Sequence, residues 1–389
     1  MRVFLIAGEL SGDKLGAALM KGLVDLHGDV TFEGVGGPQM QALGLSSQFD
    51  MSELSVMGLV EILPKYRQLK RRITQTAKAI LQSQPDVLIT IDSPDFCLRV
   101  ARKVKQESNI RTVHYVAPSV WAWRPGRAAK MAPYIDQVLA LLPFEVPFME
   151  TVGMRCDFVG HPVVAEPVVS AAQVARFRAK HIFGDAPVLL VLPGSRRTEV
   201  TRLSPVFGDV LGKILTSNPT LKIVVPAAAP VVALVQDLAK NWPGSPLVLD
   251  PRDQSASDAE DSKRVAFKAA NIALAASGTV SLELAAAATP MVIAYDMNWL
   301  SWQIMSRMAK IDTVTLVNLI TDSRTIPEFL GPECQPDAIA AALNGLLKNA
   351  DQRQRQVDAM ATTMTALGSG NTAPGHRAAQ AVIDGLVNT

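Results

Sequence analysis

The sequence predicts an α/β fold built of two doubly wound domains that face one another across a cleft. Three observations carry this. Short apolar runs alternate with helix-like stretches along the whole chain. The runs are continuously apolar, as strands buried on both faces of a parallel sheet are. Midway, "VGHPVVAEPVVSAAQVARFRAKH" punctuates the chain with Pro162 and Pro167 before a fresh strand at Val188. The divisions expected are 1–165, 166–365 and a final helical segment 366–389, whose Ala379, Val382, Ile383 and Leu386 could pack on either half, the N-terminal one being favoured.

In order, the predicted strands are Arg2 to Ala7, Val87 to Ile91, Arg111 to Val116 and Gln137 to Leu142, then Val188 to Leu192, Lys222 to Val225, Leu247 to Leu249, Ile272 to Ala275 and Met291 to Tyr295. At 389 residues the chain exceeds what one core supports, so about two domains are expected. It is apolar, 48% hydrophobic and 19% charged. Even so, its most apolar stretch, Ile272 to Tyr295, is broken by Ser277, Gly278, Thr279, Ser281, Glu283 and Pro290, which argues against a membrane span. The short apolar run before Glu9 has no cleavage-site pattern, so no secretory signal is expected. A net charge of +2 gives no reason to expect a nucleic-acid partner. Cys97, Cys156 and Cys334 are scattered, without metal-ligand spacing, which fits buried thiols in a reducing cytoplasm.

The opening strand runs into "AGELSGD", a glycine turn before a helix. Such turns often hold a diphosphate on bare N–H groups, yet here Glu9, Ser11, Gly12 and Asp13 offer two carboxylates. Something other than a diphosphate belongs there. "ITIDSPDFCLRV" places Asp92, Ser93 and Asp95 just past a buried strand, where doubly wound folds carry catalytic groups. Asp95 is the candidate general base; the competing reading makes it a helix cap. "YVAPSVWAWRPGRAAK" gathers Trp121, Trp123, Arg124 and Arg127 in one loop, either a ligand wall or core filling. His114 and His161 join no recognisable triad or metal pair.

Between the AGELSGD and ITIDSPDF segments lies a helix with a broad apolar face, Val56, Leu59, Val60, Leu63, Leu69 and Ile73, beside Lys65, Arg67, Lys70, Arg71, Arg72 and Lys78. No acid stands between Glu61 and Asp86, which favours an interfacial helix on an anionic membrane over one with a buried and a solvated face.

In the second half, "VLPGSRRTEV" sets Gly194, Ser195, Arg196 and Arg197 at a helix start, a phosphate-type turn. "ASGTVSLELA" repeats the pattern with Ser277, Gly278 and Thr279, and Glu283 one helical turn on could accept both hydroxyls of a ribose. No Asp-x-Asp pair or Walker lysine loop follows a strand, so no metal and no cofactor are expected; arginine and helix dipoles would meet the phosphate charge. The polar stretch Asp250 to Lys263 reads as a surface loop.

Taken together, AGELSGD, SPDF, PSVWAWRPGR, LPFE, FVGHP, LPGSRRTE, SGTVSLE and PEFL, in that order from Ala7 to Leu330, resemble the bacterial lipid-A-disaccharide synthase family. The resemblance implies a GT-B glycosyltransferase with two Rossmann-like domains, inverting and metal-independent, peripheral on the cytoplasmic face of the inner membrane. It implies transfer from UDP-2,3-diacylglucosamine to 2,3-diacylglucosamine 1-phosphate, giving the β-1,6-linked disaccharide and UDP. Asp95 would act on the acceptor 6-hydroxyl, with Glu9, Ser11, Gly12, Asp13, Ser93 and Trp123 around the acceptor. Gly194, Ser195, Arg196, Ser277, Gly278, Thr279, Glu283 and Asn318 would hold the UDP-sugar. The partners implied are these two lipids and the anionic membrane surface; a homodimer is one option, the sequence leaving the oligomeric state open. Two departures stand out: Leu316-Val317-Asn318 where the family commonly has Leu-Pro-Asn, and Gly331 where a glutamine commonly follows PEFL. Rival readings are a lipid-linked N-acetylglucosamine transferase, a soluble UDP-N-acetylglucosamine 2-epimerase, which would need no apolar basic helix, and a non-catalytic nucleotide-sugar binder.

Overall fold

A computed structural model describes residues 1–54, 59–122, 126–298, 302–303, 307–308 and 311–387, with the side chains of 59–66 also outside the description. The chain divides into two units, Met1–Ala165 with Leu367–Thr389, and Glu166–Ala366.

Unit 1 is built on seven strands: β1 (Arg2–Ala7), β2 (Thr31–Val35), β3 (Ser46–Ser47), β4 (Val87–Ile91), β5 (Arg111–Tyr115), β6 (Gln137–Ala140) and β7 (Arg155–Phe158), in the order β3-β2-β1-β4-β5-β6-β7. Every pairing is parallel. The order runs one way from β1 and the other way from β4, so the loops leaving these two strands part and leave a crevice between them. Unit 2 repeats the arrangement with β8 (Val188–Leu192), β9 (Lys222–Pro226), β10 (Leu247–Leu249), β11 (Ile272–Ala275), β12 (Met291–Tyr295) and β13 (Glu328–Leu330), in the order β10-β9-β8-β11-β12-β13. Its pairings are parallel too, and the reversal falls between β8 and β11. Strands β1, β4 and β8 are buried along nearly their whole length, because helices cover both sheet faces.

Four strands escape the sequence reading. β2 (TFEGV) and β7 (RCDF) alternate apolar with polar residues, while β3 and β13 are two and three residues long. Of these, β3, β7 and β13 are edge strands, buried on too little of their surface to need a continuous apolar run. Asp250 to Lys263 is also corrected: Ala256–Ala269 is a helix, capped by the Ser255 hydroxyl accepting from the Asp258 N–H at 3.1 Å. Its charges lie on a solvent face while Ala266, Phe267 and Ala269 are buried, so a polar count hid the period.

The end of the chain belongs to unit 1. The helix Pro374–Val387 lies against the helix Leu10–His27 through small residues: a Cβ at Gly375 would stand 2.6 Å from the Ala18 carbonyl oxygen, and one at Gly22 would stand 2.8 Å from the Gly375 carbonyl oxygen. Gln137 Nε2 donates to the Ala381 carbonyl at 2.8 Å, and Arg377 donates to the Phe158 carbonyl at 2.8 Å with its guanidinium over the Phe158 ring. Among the described residues no helix is long and apolar enough to cross a membrane. Gly22→Leu should push the last helix off its seat, cost about 1–3 kcal/mol in urea unfolding and open residues near 370 to protease; an unchanged midpoint and an uncut tail would contradict this packing.

Candidate active site

In unit 1 the turns after β1 and β4 meet. A Cβ on buried Gly8 would stand 2.2 Å from Ser93 Oγ, so the two turns touch only because residue 8 has no side chain. Beyond Gly8 the helix Leu10–His27 begins, with Glu9 half-buried, Ser11 exposed and Gly12 buried. Asp13 requires a correction. It is fully buried, and its carboxylate accepts the backbone N–H groups of Gly37 (2.9 Å), Gln39 (2.9 Å) and Met40 (3.1 Å). It caps the short helix Pro38–Ala42 from outside, and its burial keeps it out of reach of a sugar.

After β4, Asp92 and Ser93 both take left-handed backbone, φ +51° and +41°, and the helix Pro94–Glu107 then starts with Ser93 at its cap position. Asp95 is therefore in the first helical turn, with 91% of its side chain exposed and Arg127 Nη2 at 3.6 Å from its carboxylate. Desolvation holds the Asp92 carboxyl above its usual range. Buried His114 binds Thr90 Oγ1 through Nδ1 at 2.8 Å, and burial together with the nearby Arg127 charge pushes its pKa down to about 3, leaving it neutral.

Trp121 belongs to the loop that leads to Arg127. Its indole N–H donates to Glu145 Oε1 at 3.3 Å, and its ring meets Phe144 edge-on at 5.0 Å. Glu145, buried at the end of LPFE, also accepts the Leu142 N–H at 3.0 Å. Sequence reasoning missed Glu145 as an anchor, although its motif was noted. Trp123 lies outside the described residues.

The basic helix runs Leu59–Ser83. Val56 and the side chains of Leu59, Val60, Leu63 and Lys65 lie outside the described residues. Arg67, Lys70, Arg71 and Lys78 are exposed. Arg72 is corrected from a membrane-facing charge to a structural one: it makes a bidentate pair with Glu53 at 2.6 and 2.8 Å and lies over the Phe49 ring. The acid missing from the helix arrives from the segment before it. Ile73 is likewise core, not membrane face.

In unit 2, the turn after β8 has Gly194 at φ +115°, where a Cβ would stand 2.6 Å from Glu199 Oε2. Ser195 and Arg196 are exposed, but their N–H groups donate to Glu199 Oε2 at 3.2 and 3.3 Å, while Arg196 Nη1 reaches Glu199 Oε1 at 3.2 Å. The donors expected to meet phosphate are thus engaged by a carboxylate three residues after Arg196. What the turn presents outward is the Ser195 hydroxyl and the Arg196 side chain, 59% exposed. After β11, Gly278 (φ +143°) and Thr279 are exposed, Ser277 is half-buried, and Ser281 Oγ donates to the Gly278 carbonyl at 3.0 Å. Glu283, in the helix Val280–Ala286, pairs with Lys263 at 2.6 Å.

The profile of the lipid-A-disaccharide synthetase family matches residues 3–382. The chain belongs to the lipid-A-disaccharide synthase family. It is 61% identical over 386 residues to the lipid-A-disaccharide synthase of Ruegeria pomeroyi, covering 99% of this chain and 96% of that protein. To the synthase of Rhodospirillum centenum it is 46% identical, covering 98% and 94%. The chain is accordingly a glycosyltransferase of lipid A biosynthesis. Solved structures of the same GT-B fold include UDP-GlcNAc 2-epimerase from Neisseria meningitidis bound to UDP-GlcNAc, with a TM-score of 0.64, 12% identity and 100% of both chains covered. Acinetobacter baumannii MurG aligns with a TM-score of 0.55 and 14% identity, over 100% of this chain and 99% of that one. These two likenesses show the fold alone.

Both departures from the family's common pattern have a local setting. Val317, second in the helix Leu316–Thr321, is fully buried in the core of unit 2. Its neighbour Asn318 is fully buried too, its Nδ2 donating to Thr313 Oγ1 and the Ile326 carbonyl and its Oδ1 accepting the Ile326 N–H. This corrects the assignment of Asn318 as a donor ligand: the buried amide ties a loop together. Gly331 has φ +53°, and a Cβ there would stand 2.6 Å from the Trp302 ring. A glutamine at 331 would need that ring to move.

Burial pushes the Glu145 carboxyl up to about 7 from an ordinary 4.5, so the folded chain holds a proton that the unfolded chain releases between those values. The stability this proton supports is present in full below pH 4.5 and is lost as pH rises through about 7. Glu145→Gln keeps the shape and removes the titration. Relative to the unsubstituted chain it should gain about 1–3 kcal/mol between about pH 5 and about pH 8; a constant difference across that range would contradict the assignment.

Proposed function

We propose that the chain transfers 2,3-diacylglucosamine from UDP to the 6-hydroxyl of 2,3-diacylglucosamine 1-phosphate, unit 2 holding the donor and unit 1 the acceptor. Membership of the synthase family across residues 3–382 is the observation that carries the reading. The turns at the two sheet reversals supply groups that suit it.

On unit 1, Asp95 accepts the proton of the acceptor hydroxyl as its oxygen bonds the donor's anomeric carbon, and the bond from that carbon to the diphosphate breaks with inversion. UDP leaves with the electron pair. Arg127 Nη2, 3.6 Å from the Asp95 carboxylate, orients it until the hydroxyl arrives. Glu9, Ser11 and Ser93 stand on the two touching turns and would meet acceptor hydroxyls and amides. On unit 2, Arg196 and the Ser195 hydroxyl meet the diphosphate, with Gly194 letting the backbone approach and Glu199 fixing the base of the arginine. Ser277, Gly278 and Thr279 take the second phosphate-type turn. Glu283 exchanges its Lys263 partner for the ribose hydroxyls, leaving the lysine charge close to the nucleotide.

The exposed Arg67, Lys70 and Arg71 support docking to the anionic cytoplasmic face of the inner membrane, at about 1 kcal/mol each. Acyl chains of the substrates add about 0.8 kcal/mol per buried CH₂.

The division of labour is tested with two variants assayed in EDTA. Asp95→Asn should keep UDP affinity by calorimetry and lose roughly 10²- to 10⁴-fold in turnover. Arg196→Ala should weaken UDP binding by roughly 10- to 100-fold. Turnover of Asp95→Asn within a few-fold of the unsubstituted chain, or unchanged UDP affinity in Arg196→Ala, would remove that residue from its role.

A further inference from the structure

Beside the Asp92–Asp95 turn, the carboxyl ends of β4 and β5 enclose a cavity of about 150 Å³, room for about five waters. Its polar walls are Asp92, His114, Ser119 and Arg127; Val116 and Pro118 are among its apolar ones. The backbone around it is strained. Asp92 and Ser93 are left-handed, and so is Val116 at φ +79°, where a β-branched residue is a true outlier. Two bonds impose this: the Asp92 N–H donates to the Tyr115 carbonyl at 2.9 Å, and the Val116 N–H donates to the Leu139 carbonyl at 3.0 Å. Strain held in this way clusters at ligand clamps.

We propose that this cavity is a sugar subsite, seating one edge of the acceptor's pyranose so that a ring hydroxyl donates to Asp92 while Arg127 spans from that sugar to Asp95. The proposal rests on the reading of unit 1 as the acceptor-binding half. The lining selects among the acceptor's chemical parts. A phosphate would meet the Asp92 carboxylate, a like charge. An acyl chain would strip water from four polar walls and replace none of their hydrogen bonds. An uncharged polyol donates to Asp92, accepts from Arg127 and lays C–H faces on Val116 and Pro118. His114 adds one neutral ring nitrogen, since Thr90 occupies the other. The Asp92 carboxylate, desolvated in the wall, gains from a hydroxyl donor.

The test measures KM separately for acceptor and donor in detergent micelles. Asp92→Asn is the apt substitution, because asparagine tolerates left-handed backbone and keeps the turn. It should raise the acceptor KM by about 10- to 100-fold and leave donor KM and UDP affinity unchanged. Ser119→Phe, at an exposed rim position, should plug the mouth and shift acceptor KM in the same direction while circular dichroism shows an intact fold. Unchanged acceptor KM in both folded variants would overturn the subsite and leave the proposed reaction standing. A fall in kcat alone for Asp92→Asn would also overturn it, by moving Asp92 to the proton transfer. If the unsubstituted chain forms no disaccharide, the subsite falls together with the reading of the reaction.

Discussion

The parallel pairing of β1 with β4 and of β8 with β11 is the constraint from which the chemistry follows. Parallel strands send all their loops out at one end, and in each sheet the order of strands reverses between these two partners. At that reversal neighbouring loops diverge and leave room for a ligand. AGELSGD and SPDF leave β1 and β4; LPGSRRTE and SGTVSLE leave β8 and β11. Four of the family's motifs therefore occupy the two crevices of the fold. Gly8 shows how closely the two turns of unit 1 are joined, since any side chain there would collide with Ser93.

A carboxylate's surroundings decide its part. Asp13 and Glu199 are consumed by backbone N–H groups and shape the turns that others use. Glu145 is buried against an indole and an amide and holds the tryptophan loop. Asp92 is desolvated in a cavity wall, and Asp95 stands in solvent beside an arginine. Acids that look alike in the sequence thus divide into structural clamps and groups still able to act on a substrate.

This division marks what the sequence made legible. Continuous apolar runs revealed the central strands, since burial on both faces demands them, while β3, β7 and β13 stayed hidden because a short edge strand makes no such demand. Motif spacing located the turns at the reversals but said nothing of what each side chain would touch. Asp13 and Asn318 carry ligand-like chemistry but are fully buried and turned to backbone and neighbouring groups. Arg72 looked unpaired because its partner, Glu53, precedes the helix by several residues and pairs only through the fold. The Glu199 cap stayed hidden as well, because a capping box begins on Ser or Thr and Arg196 stands at the cap position here.

We propose that the nucleotide binds in the crevice of unit 2. Hydrogen exchange with and without UDP tests that assignment directly. Added protection should fall on residues 193–199 and 276–283 and leave 92–97 unchanged. Protection confined to the turns of unit 1, with the β8 and β11 turns exchanging as before, would contradict it.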